Sequence, residues 1–298
     1  MQTILITGSN GLLGQKLVHK LKGKPNINLI ASSKGKNRIS DQAGYRYKSL
    51  DITSQNEVDS LFNEYKPTVV INTAAMTNVD ACESDKEGCW KLNVDAVDYL
   101  VKASEEHQAH FIHLSTDFVF DGEDGPYKET DEPNPLSYYG KSKLASEKIV
   151  QQAKTKWAIG RTIIVYGIAE NMSRSNIVLW AKGALEKRAP LNIVNDQFRS
   201  PTLAEDLADA CILIAEKGAE GLFHLSGKDF MSITELVRRV ARFYQLDDSI
   251  IQEISSKALN QAAKRPPKTG FNISKAMNVL GYQPHTFEEG LKVLTKQL

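Results

Sequence analysis

Residues 3–14 read TILITGSNGLLG, and this stretch decides the fold of the 298-residue chain. TILIT (3–7) has the short β-branched run of a buried strand, and LLGQKLVHKL (12–21) places apolar residues at helical spacing. Between them the pattern G-x-x-G-x-x-G is formed by Gly8, Gly11 and Gly14. A strand, a glycine turn and a helix in this order are typical of a dinucleotide site, where the helix N-terminus faces the pyrophosphate.

The alternation of strand and helix continues to residue 167. Further strands are predicted over 27–32, 45–51, 68–75, 110–116 and 157–167. Helices are predicted from a capping box at Ser54 and Glu57 to the residue before Pro67, over 83–107, and over 139–152. This order predicts an α/β fold with a doubly wound parallel Rossmann sheet, whose ligands bind beyond the carboxyl ends of the strands.

After residue 167 the rhythm breaks. A strand is predicted over 221–227, a helix over 232–244 with a capping box at Ser232 and Glu235, and a basic loop over 264–272. We interpret this region as a smaller lobe that closes over a substrate. The expected division is a Rossmann domain over 1–167, with 195–225 partly returning to it, and a substrate lobe formed by 168–194 and 226–298.

Composition excludes several other classes of protein. The net charge is +1, so charge gives no reason to expect nucleic acid or an anionic membrane as the main partner. No apolar stretch approaches the ~18 residues of a membrane span, and the N-terminus lacks a basic signal region. The three cysteines lack C-x-x-C spacing, and the six histidines show no convincing ligand pattern, so we expect no metal. Free thiols indicate a reducing cytoplasm.

The end of the second strand indicates which dinucleotide binds. An acidic residue there would hold the ribose 2′-hydroxyl of NAD. ASSKGKNR (31–38) has no acid, and instead offers Ser32, Ser33, Lys34, Lys36 and Arg38. Hydroxyls and cations suit a 2′-phosphate, so NADP(H) is favoured over NAD(H). The alternative is a solvated basic loop.

Tyr139 and Lys143 are candidate catalytic residues. At i and i+4 they share a helix face. A nearby ammonium would lower the pKa of a tyrosine from about 10 and make it a better proton donor at neutral pH. Thr116 ends the fifth strand, where its hydroxyl could bind the same substrate oxygen. The alternative is that Tyr139 and Lys143 lie on an ordinary exposed helix face. The glycine turn and Thr116 favour the catalytic interpretation over this alternative.

Motifs along nearly the whole chain resemble those of one family. They are TGSNGLLG (7–14), INTAAMTNVDACE (71–83), STDFVFDG (115–122), PLSYYGKSKLASEK (135–148), NDQFRSPTLAEDLAD (195–209) and KRP (264–266). The chain resembles the extended short-chain dehydrogenases/reductases that act on nucleotide sugars, and within them the dTDP-4-dehydrorhamnose reductases.

The resemblance assigns roles to individual residues. Its catalytic set is Thr116, Tyr139 and Lys143. The expected cofactor residues are Gly8, Asn10, Gly11, Leu12, Gly14, Ser32, Ser33, Lys34, Arg38, Asp51, Ile52, Ala74, Ala75, Asn93, Tyr139 and Lys143. The expected substrate residues are Thr77, Val79, Asp117 and Arg265. The alternatives are that Asp51 caps a helix, Asn93 is a buried structural amide and Arg265 is solvated.

Two departures from the family concern the sugar pocket. Ile164 stands where these reductases typically have tryptophan, and Phe118 stands where they have tyrosine. The resemblance implies NADPH-dependent reduction of a nucleotide-linked 4-keto-6-deoxy sugar, with a homodimer possible. Two alternatives stay open: a sugar-nucleotide epimerase or dehydratase, and a non-catalytic subunit resembling the regulatory subunit of methionine adenosyltransferase.

Overall fold

The structure is a computed structural model that describes residues 1–172 and 175–298. Within these residues the strands are β1 (Gln2–Thr7), β2 (Ile27–Ser33), β3 (Arg46–Ser49), β4 (Val69–Asn72), β5 (His110–Thr116), β6 (Trp157–Thr162), β7 (Val165–Tyr166), β8 (Leu191–Val194), β9 (Phe198–Arg199), β10 (Thr202–Leu203), β11 (Gly221–His224), β12 (Met231–Ser232) and β13 (Ile251–Ile254). The α-helices are α1 (Leu12–Leu21), α2 (Gln55–Tyr65), α3 (Val79–Ser84), α4 (Lys86–Trp90), α5 (Ala96–Glu106), α6 (Tyr138–Gln151), α7 (Ile177–Glu186), α8 (Ala204–Lys217), α9 (Ile233–Tyr244) and α10 (Phe287–Thr295).

Seven of these strands form one parallel sheet in the order β11-β6-β5-β4-β1-β2-β3. The chain builds outward from β1 through β2 to β3, then crosses back to β4 and builds outward in the other direction. The predicted doubly wound sheet is therefore confirmed. The reversal lies between β1 and β4, and the carboxyl ends of these strands border the crevice where such folds bind ligands.

The two predicted capping boxes have different outcomes. The one at Ser54 is wrong, because its side chain makes no capping hydrogen bond and Glu57 instead accepts from the backbone N–H of Asp51 at 2.9 Å. At the start of α9, the Ser232 side chain does accept from the backbone N–H of Glu235 at 3.0 Å.

The single helix predicted over 83–107 is wrong. It is divided into the end of α3, α4, a π-helical turn over Lys91–Asp95, and α5. Asp85 lies between α3 and α4 with φ −120° and ψ 73°, and its side chain accepts from the backbone N–H of Gly88 at 2.9 Å. Aspartate competes well for backbone N–H groups, so it ends one helix and caps the next.

The strand predicted over 157–167 is also interrupted. β6 belongs to the central sheet, whereas β7 pairs with β10 outside it. Ile164 lies between them with a φ of +34°, which is unfavourable for a β-branched side chain. The break directs the chain away from the sheet and into the second lobe.

A second apolar core lies in this lobe. It is formed by α7, α9, α10, β8 and β13, with Val178, Ile193, Leu236 and Leu291 fully or nearly fully buried. β11 belongs to the central sheet, and Phe271–Tyr282 contributes buried residues to the main core. The exact domain boundaries stay a prediction. None of the helices in the described ranges is long and apolar enough to cross a membrane.

Replacing Gly14 with alanine tests how closely α1 packs on the glycine turn. A Cβ at Gly14 would lie 2.3 Å from the carbonyl oxygen of Gly8, whereas one at Gly183 in α7 would meet nothing within 4 Å. We expect Gly14→Ala to lower the free energy of unfolding by about 1–3 kcal/mol. The matched Gly183→Ala should raise it by up to about 1 kcal/mol, because alanine favours helix interiors. Urea denaturation measures both, and equal stability of Gly14→Ala and the wild type would contradict this packing.

Candidate active site

The turn between β1 and α1 has the shape of a phosphate-binding loop. Gly8 has a φ of +73°, and a Cβ there would lie 2.7 Å from the backbone nitrogen of Ala74. Gly11 is the N-cap of α1 and has no side chain with which to cap it. The backbone N–H groups of the first turn are therefore left for another acceptor, as anion binding at a helix N-terminus requires.

Two buried hydroxyls beside this turn lack hydrogen-bond partners. They belong to Ser9 and Ser32, and neither oxygen contacts a polar group of the part of the chain that the structure describes. Ser32 pairs with Thr7 across β1 and β2, so it lies at the carboxyl end of the sheet. Because buried polar groups are usually paired, these orphaned oxygens and the glycine turn fit a bound dinucleotide.

Asn10 holds the cationic loop over 34–38 against the glycine turn. Its side-chain amide donates to the carbonyl of Lys36 at 2.8 Å and accepts from the backbone N–H of Arg38 at 2.9 Å. Its own backbone N–H donates to the Ser33 hydroxyl at 3.5 Å. The side chains of Lys36 and Arg38 are exposed. The cationic loop after β2 therefore lies beside the glycine turn, where a ligand bound at that turn could reach it.

Lys34 is paired with the acid expected beside adenine. Its Nζ lies 2.6 Å from Oδ2 of Asp51, although the lysine side chain is 80% exposed. The hydrogen bond from Lys34, with others from Thr53, lowers the pKa of Asp51 to about 2. Asp51 therefore neutralises one of the cations that sequence reasoning assigned to the cofactor, while Ile52 beside it is buried.

Close packing brings Tyr139 to the end of β5. The Ser137 side chain caps α6 by accepting from the backbone N–H of Gly140 at 3.1 Å. A Cβ at Gly140 would lie only 2.2 Å from the carbonyl oxygen of Phe118, so the first turn of α6 lies directly on the loop after β5. Thr116 and Tyr139 are both buried as a result. The candidate hydroxyl and phenol are therefore neighbours.

Burial dominates the electrostatics of Tyr139 and Lys143. It raises the pKa of Tyr139 above its ordinary value, and a hydrogen bond from Thr116 opposes this rise. It lowers the pKa of Lys143 to about 8, against the attraction of Glu147. The prediction that Lys143 lowers the pKa of Tyr139 is wrong in this structure, because desolvation of the phenol outweighs it and Lys143 Nζ lies 3.1 Å from His113 Nε2.

His113 is a residue that sequence reasoning missed. It was considered only as a metal ligand, yet it lies fully buried in β5 between Lys143 and Asn72. No group of three or more His, Cys, Asp or Glu side chains within residues 1–172 and 175–298 could hold a metal ion. The sequence feature that could have identified His113 is its polar side chain in the middle of a strand whose other residues are mostly buried.

Asn93 lies fully buried in the π-helical turn before α5. Its amide accepts from the backbone N–H of Met76 at 2.8 Å and donates to the Met76 carbonyl at 3.1 Å and to the Ser142 hydroxyl at 3.0 Å. It therefore joins the segment after β4 to α6, as the structural alternative supposed. Ala74 and Ala75, in that segment, are half-buried.

Asp117 is engaged by protein groups. Thr269 donates a short hydrogen bond to its carboxylate, Thr116 donates at 3.1 Å, and Nε of Arg199 lies 3.5 Å away. Burial raises the pKa of Asp117, and the charge of Arg199 opposes the rise. Arg199 also donates to the carbonyls of Pro266 and Pro267, so it joins the end of β5 to the basic loop. Sequence reasoning did not identify Arg199.

Arg265 forms an ion pair with Asp80 in α3. Its two Nη atoms lie 2.6 and 3.2 Å from the two carboxylate oxygens, and the backbone N–H of Ala263 also donates to Asp80. Its side chain is only 18% exposed, so the solvated alternative does not describe it. Thr77 is exposed and Val79 half-buried at the start of the same segment.

The two departures from the family pattern occupy different places. Phe118 packs edge-on against Tyr139, with ring centroids 5.7 Å apart. Ile164 is half-buried between the main core and the core of the second lobe. Only Ile164 thus contacts the core of the second lobe, whereas Phe118 packs beside Tyr139.

Comparison with known proteins agrees with the geometry. The family model described as RmlD substrate binding domain matches residues 1–298. The chain is 32% identical to a dTDP-4-dehydrorhamnose reductase of Aggregatibacter actinomycetemcomitans over 98% of both chains. It is 30% identical to methionine adenosyltransferase 2 subunit beta of Pongo abelii, over 97% of this chain and 86% of the relative.

Solved structures of reductases superpose on nearly the whole chain. A dTDP-4-dehydrorhamnose reductase of Clostridium acetobutylicum has a TM-score of 0.88 and 32% identity over 99% of both chains. One from Bacillus anthracis, in complex with NADP, has a TM-score of 0.86 and 26% identity over 100% of both. The chain belongs to the dTDP-4-dehydrorhamnose reductase family of extended short-chain dehydrogenases/reductases.

Proposed function

We propose that the protein reduces a nucleotide-linked 4-keto-6-deoxy sugar with NADPH. The observation that carries the proposal is the burial of Thr116, Tyr139 and Lys143 together at the carboxyl end of β5. The glycine turn and the orphaned hydroxyls of Ser9 and Ser32 lie at the carboxyl edge of the same sheet. Related reductases, one of them solved with NADP, support this proposal.

Each catalytic residue has a distinct task. NADPH, held along the glycine turn, would supply the hydride for the keto carbon. When the substrate binds, the Thr116 hydroxyl turns its single proton from Asp117 to the keto oxygen, and Tyr139 gives its phenolic proton to that oxygen as negative charge develops. Lys143 holds the nicotinamide ribose. The remaining cofactor residues bind the dinucleotide along the glycine turn and the end of β2.

The raised pKa of Tyr139 suits reduction. A proton donor must carry its proton when the substrate arrives, and desolvation keeps this phenol protonated at neutral pH. The same burial excludes water, so the developing alkoxide takes its proton from Tyr139 rather than from solvent.

Arg265 is the proposed ligand of the nucleotide diphosphate. Its guanidinium already binds one planar anion, the carboxylate of Asp80. A phosphate presents the same pattern of acceptor oxygens to the fork of Arg265. Thr77, Val79 and Asp117 are proposed to lie along the sugar, with Asp117 acting through Thr116 because its carboxylate is engaged within the protein.

Two alternative functions have specific observations for or against them. A dehydratase of this superfamily needs an acid after the β5 aspartate, and Phe118 can perform no acid–base work there. A regulatory role is favoured by the similarity to methionine adenosyltransferase 2 subunit beta. Turnover of NADPH with nucleotide-linked 4-keto sugars separates this role from the reductase. A cytoplasmic location and a homodimer stay predictions.

Substitution of Tyr139 tests the proton donor. Tyr139→Phe removes the phenolic hydroxyl, and we expect turnover to fall by a factor of about 10² to 10⁴ or more while NADPH binding persists. Tyr138→Phe is the matched control, because Tyr138 is the adjacent, partly exposed tyrosine of the same helix and should keep nearly full activity. NADPH oxidation and NADPH fluorescence measure the two properties. Equal activity of the two variants would refute the assignment.

Side-by-side titration tests the cofactor preference. Because a charge-assisted hydrogen bond contributes about 1.5–3 kcal/mol, NADPH should bind at least about tenfold more tightly than NADH. Arg38→Ala should remove most of this difference. Lys34→Ala should remove less, since Asp51 already pairs with that ammonium. Equal or tighter binding of NADH by the wild type would overturn the preference.

Substitution of Arg265 tests the substrate side. Arg265→Met keeps the length of the side chain and removes its charge, so we expect KM for the nucleotide sugar to rise by a factor of about 10 to 100. Lys264→Met, which removes an exposed charge next to it, is the control. KM for NADPH should change little in either variant. A rise in KM for NADPH alone would contradict this assignment and indicate that Arg265 binds the cofactor.

A further inference from the structure

A chain of buried hydrogen bonds runs from the carboxyl ends of β1 and β4 to the middle of β5 and reaches Lys143. The Thr7 hydroxyl donates to Oδ1 of Asn72 at 2.6 Å. Nδ2 of Asn72 lies 3.1 Å from Nδ1 of His113, and Nε2 of His113 lies 3.0 Å from the Ser146 hydroxyl. All of these side chains are at most 2% exposed. The chain therefore links the strand before the glycine turn to the catalytic helix.

This chain determines which ring nitrogen of His113 carries the proton. The backbone N–H of Ala74 donates to the same Asn72 oxygen at 3.2 Å, and a backbone N–H can only donate. The amide orientation of Asn72 is thus fixed, and its NH₂ group faces His113 Nδ1. Nδ1 must accept, so the proton of the neutral imidazole is on Nε2. Burial and the charge of Lys143 hold the pKa of His113 far below its usual value, so the ring stays neutral.

At the contact between His113 and Lys143, the ring nitrogen Nε2 carries a proton. It therefore cannot accept a hydrogen bond from the Lys143 ammonium. Ser146 donates its own proton to the Lys143 carbonyl at 2.7 Å, so its oxygen accepts from Nε2–H. Nζ of Lys143, 3.1 Å from Nε2, therefore faces a donor. An ammonium has three N–H donors and no lone pair, so this contact disfavours the charged form. A neutral amine fits this contact better, because its lone pair can face the Nε2–H group that Ser146 shares.

The other groups around Lys143 do not remove this conflict. Glu147, on the next turn of α6, attracts the ammonium, but both of its oxygens are already bound by Arg161 at 2.9 and 2.7 Å. The Cys89 thiol acts weakly in the same direction. Tyr139, one turn before Lys143, stays a neutral phenol because its pKa is raised. Burial is the main cause that lowers the pKa of Lys143 to about 8, and the donor at Nε2 of His113 disfavours the ammonium in the same direction.

We propose that Lys143 takes up one proton from solvent when NADP(H) binds, because the ribose hydroxyls supply the acceptors that the fixed tautomer of His113 withholds. This inference rests on the proposed function of Lys143 as the ribose ligand. It makes Thr7, Asn72, His113 and Ser146 positioning residues that set the charge of Lys143. Binding of the cofactor then brings Lys143 to the fully charged form.

Calorimetric titration with NADPH measures this uptake directly. Titrations in pairs of buffers with different ionisation enthalpies give the number of protons bound with the cofactor at each pH. If the lysine pKa rises from about 8 to well above 9, the uptake should be about 0.1 at pH 7, about 0.5 at pH 8 and about 0.9 at pH 9. Kd should rise about tenfold per pH unit above pH 8. The 2′-phosphate, with a pKa near ~6, carries about 0.1 proton at pH 7 but almost none at pH 8 and pH 9, so the uptake is read at the two higher pH values.

Asn72→Asp tests the role of the tautomer with almost no change of shape. A carboxylate at position 72 accepts from Thr7, Ala74 and His113, so the ring proton moves to Nδ1 and Nε2 becomes an acceptor for the ammonium. The charge of the new carboxylate acts in the same direction. Uptake at pH 8 should fall to below about 0.1, and ¹⁵N shifts of the His113 ring should report the exchanged tautomer. If this variant does not fold, His113→Gln places an amide oxygen near the same site.

The outcomes distinguish this inference from the proposed function. Lys143→Met should bind NADPH more weakly, because the proposed ribose ligand is gone, and without proton uptake between pH 8 and 9, because the titrating group is gone. NADPH binding without uptake in the wild type, or with unchanged uptake in Lys143→Met, would overturn the inference and leave the reductase proposal in place. Failure of the wild type to bind NADPH would overturn both.

Discussion

The active site depends on the close approach between the first turn of α6 and the loop after β5. Gly140 makes it possible, because any Cβ there would lie 2.2 Å from the carbonyl oxygen of Phe118. This contact buries Tyr139 beside Thr116 and places Lys143, one turn later, beside His113 in β5. The glycine turn after β1 lies at the same edge of the sheet, so the parallel topology brings the proposed cofactor turn to the candidate catalytic groups.

Burial has opposite effects on the two catalytic ionisable groups. It disfavours the phenolate and so keeps the proton on Tyr139, and it disfavours the ammonium and so weakens the hold of Lys143 on its proton. The fixed orientation of Asn72 adds to the second effect through the tautomer of His113. Burial of the same region thereby keeps the proton on Tyr139. It also leaves Lys143 in need of hydrogen-bond acceptors to stabilise its charged form.

The sequence predicted those features that depend on local order along the chain. The glycine turn, the alternation of strands and helices, and the spacing of Tyr139 and Lys143 are of this kind. The division of 83–107 at Asp85 and the interruption at Ile164 depend on one competing side-chain cap and one unfavourable φ, which periodicity does not reveal. The contacts of Asp117 with Arg199, of Asp80 with Arg265 and of Lys143 with His113 join distant segments, so no spacing rule could identify them.

In the proposed reaction, hydride from NADPH reaches a sugar keto carbon and Tyr139 supplies the proton. Incubation with a nucleotide-linked 4-keto-6-deoxy sugar and NADPH deuterated at both C4 positions of the nicotinamide, followed by mass spectrometry and NMR of the product, tests it most directly. We expect one deuterium at the former keto carbon with the wild type, and at least about 100-fold less labelled product over the same time with Tyr139→Phe. An unlabelled, unreduced sugar with the wild type across a panel of such substrates, with the NADPH unchanged, would contradict it.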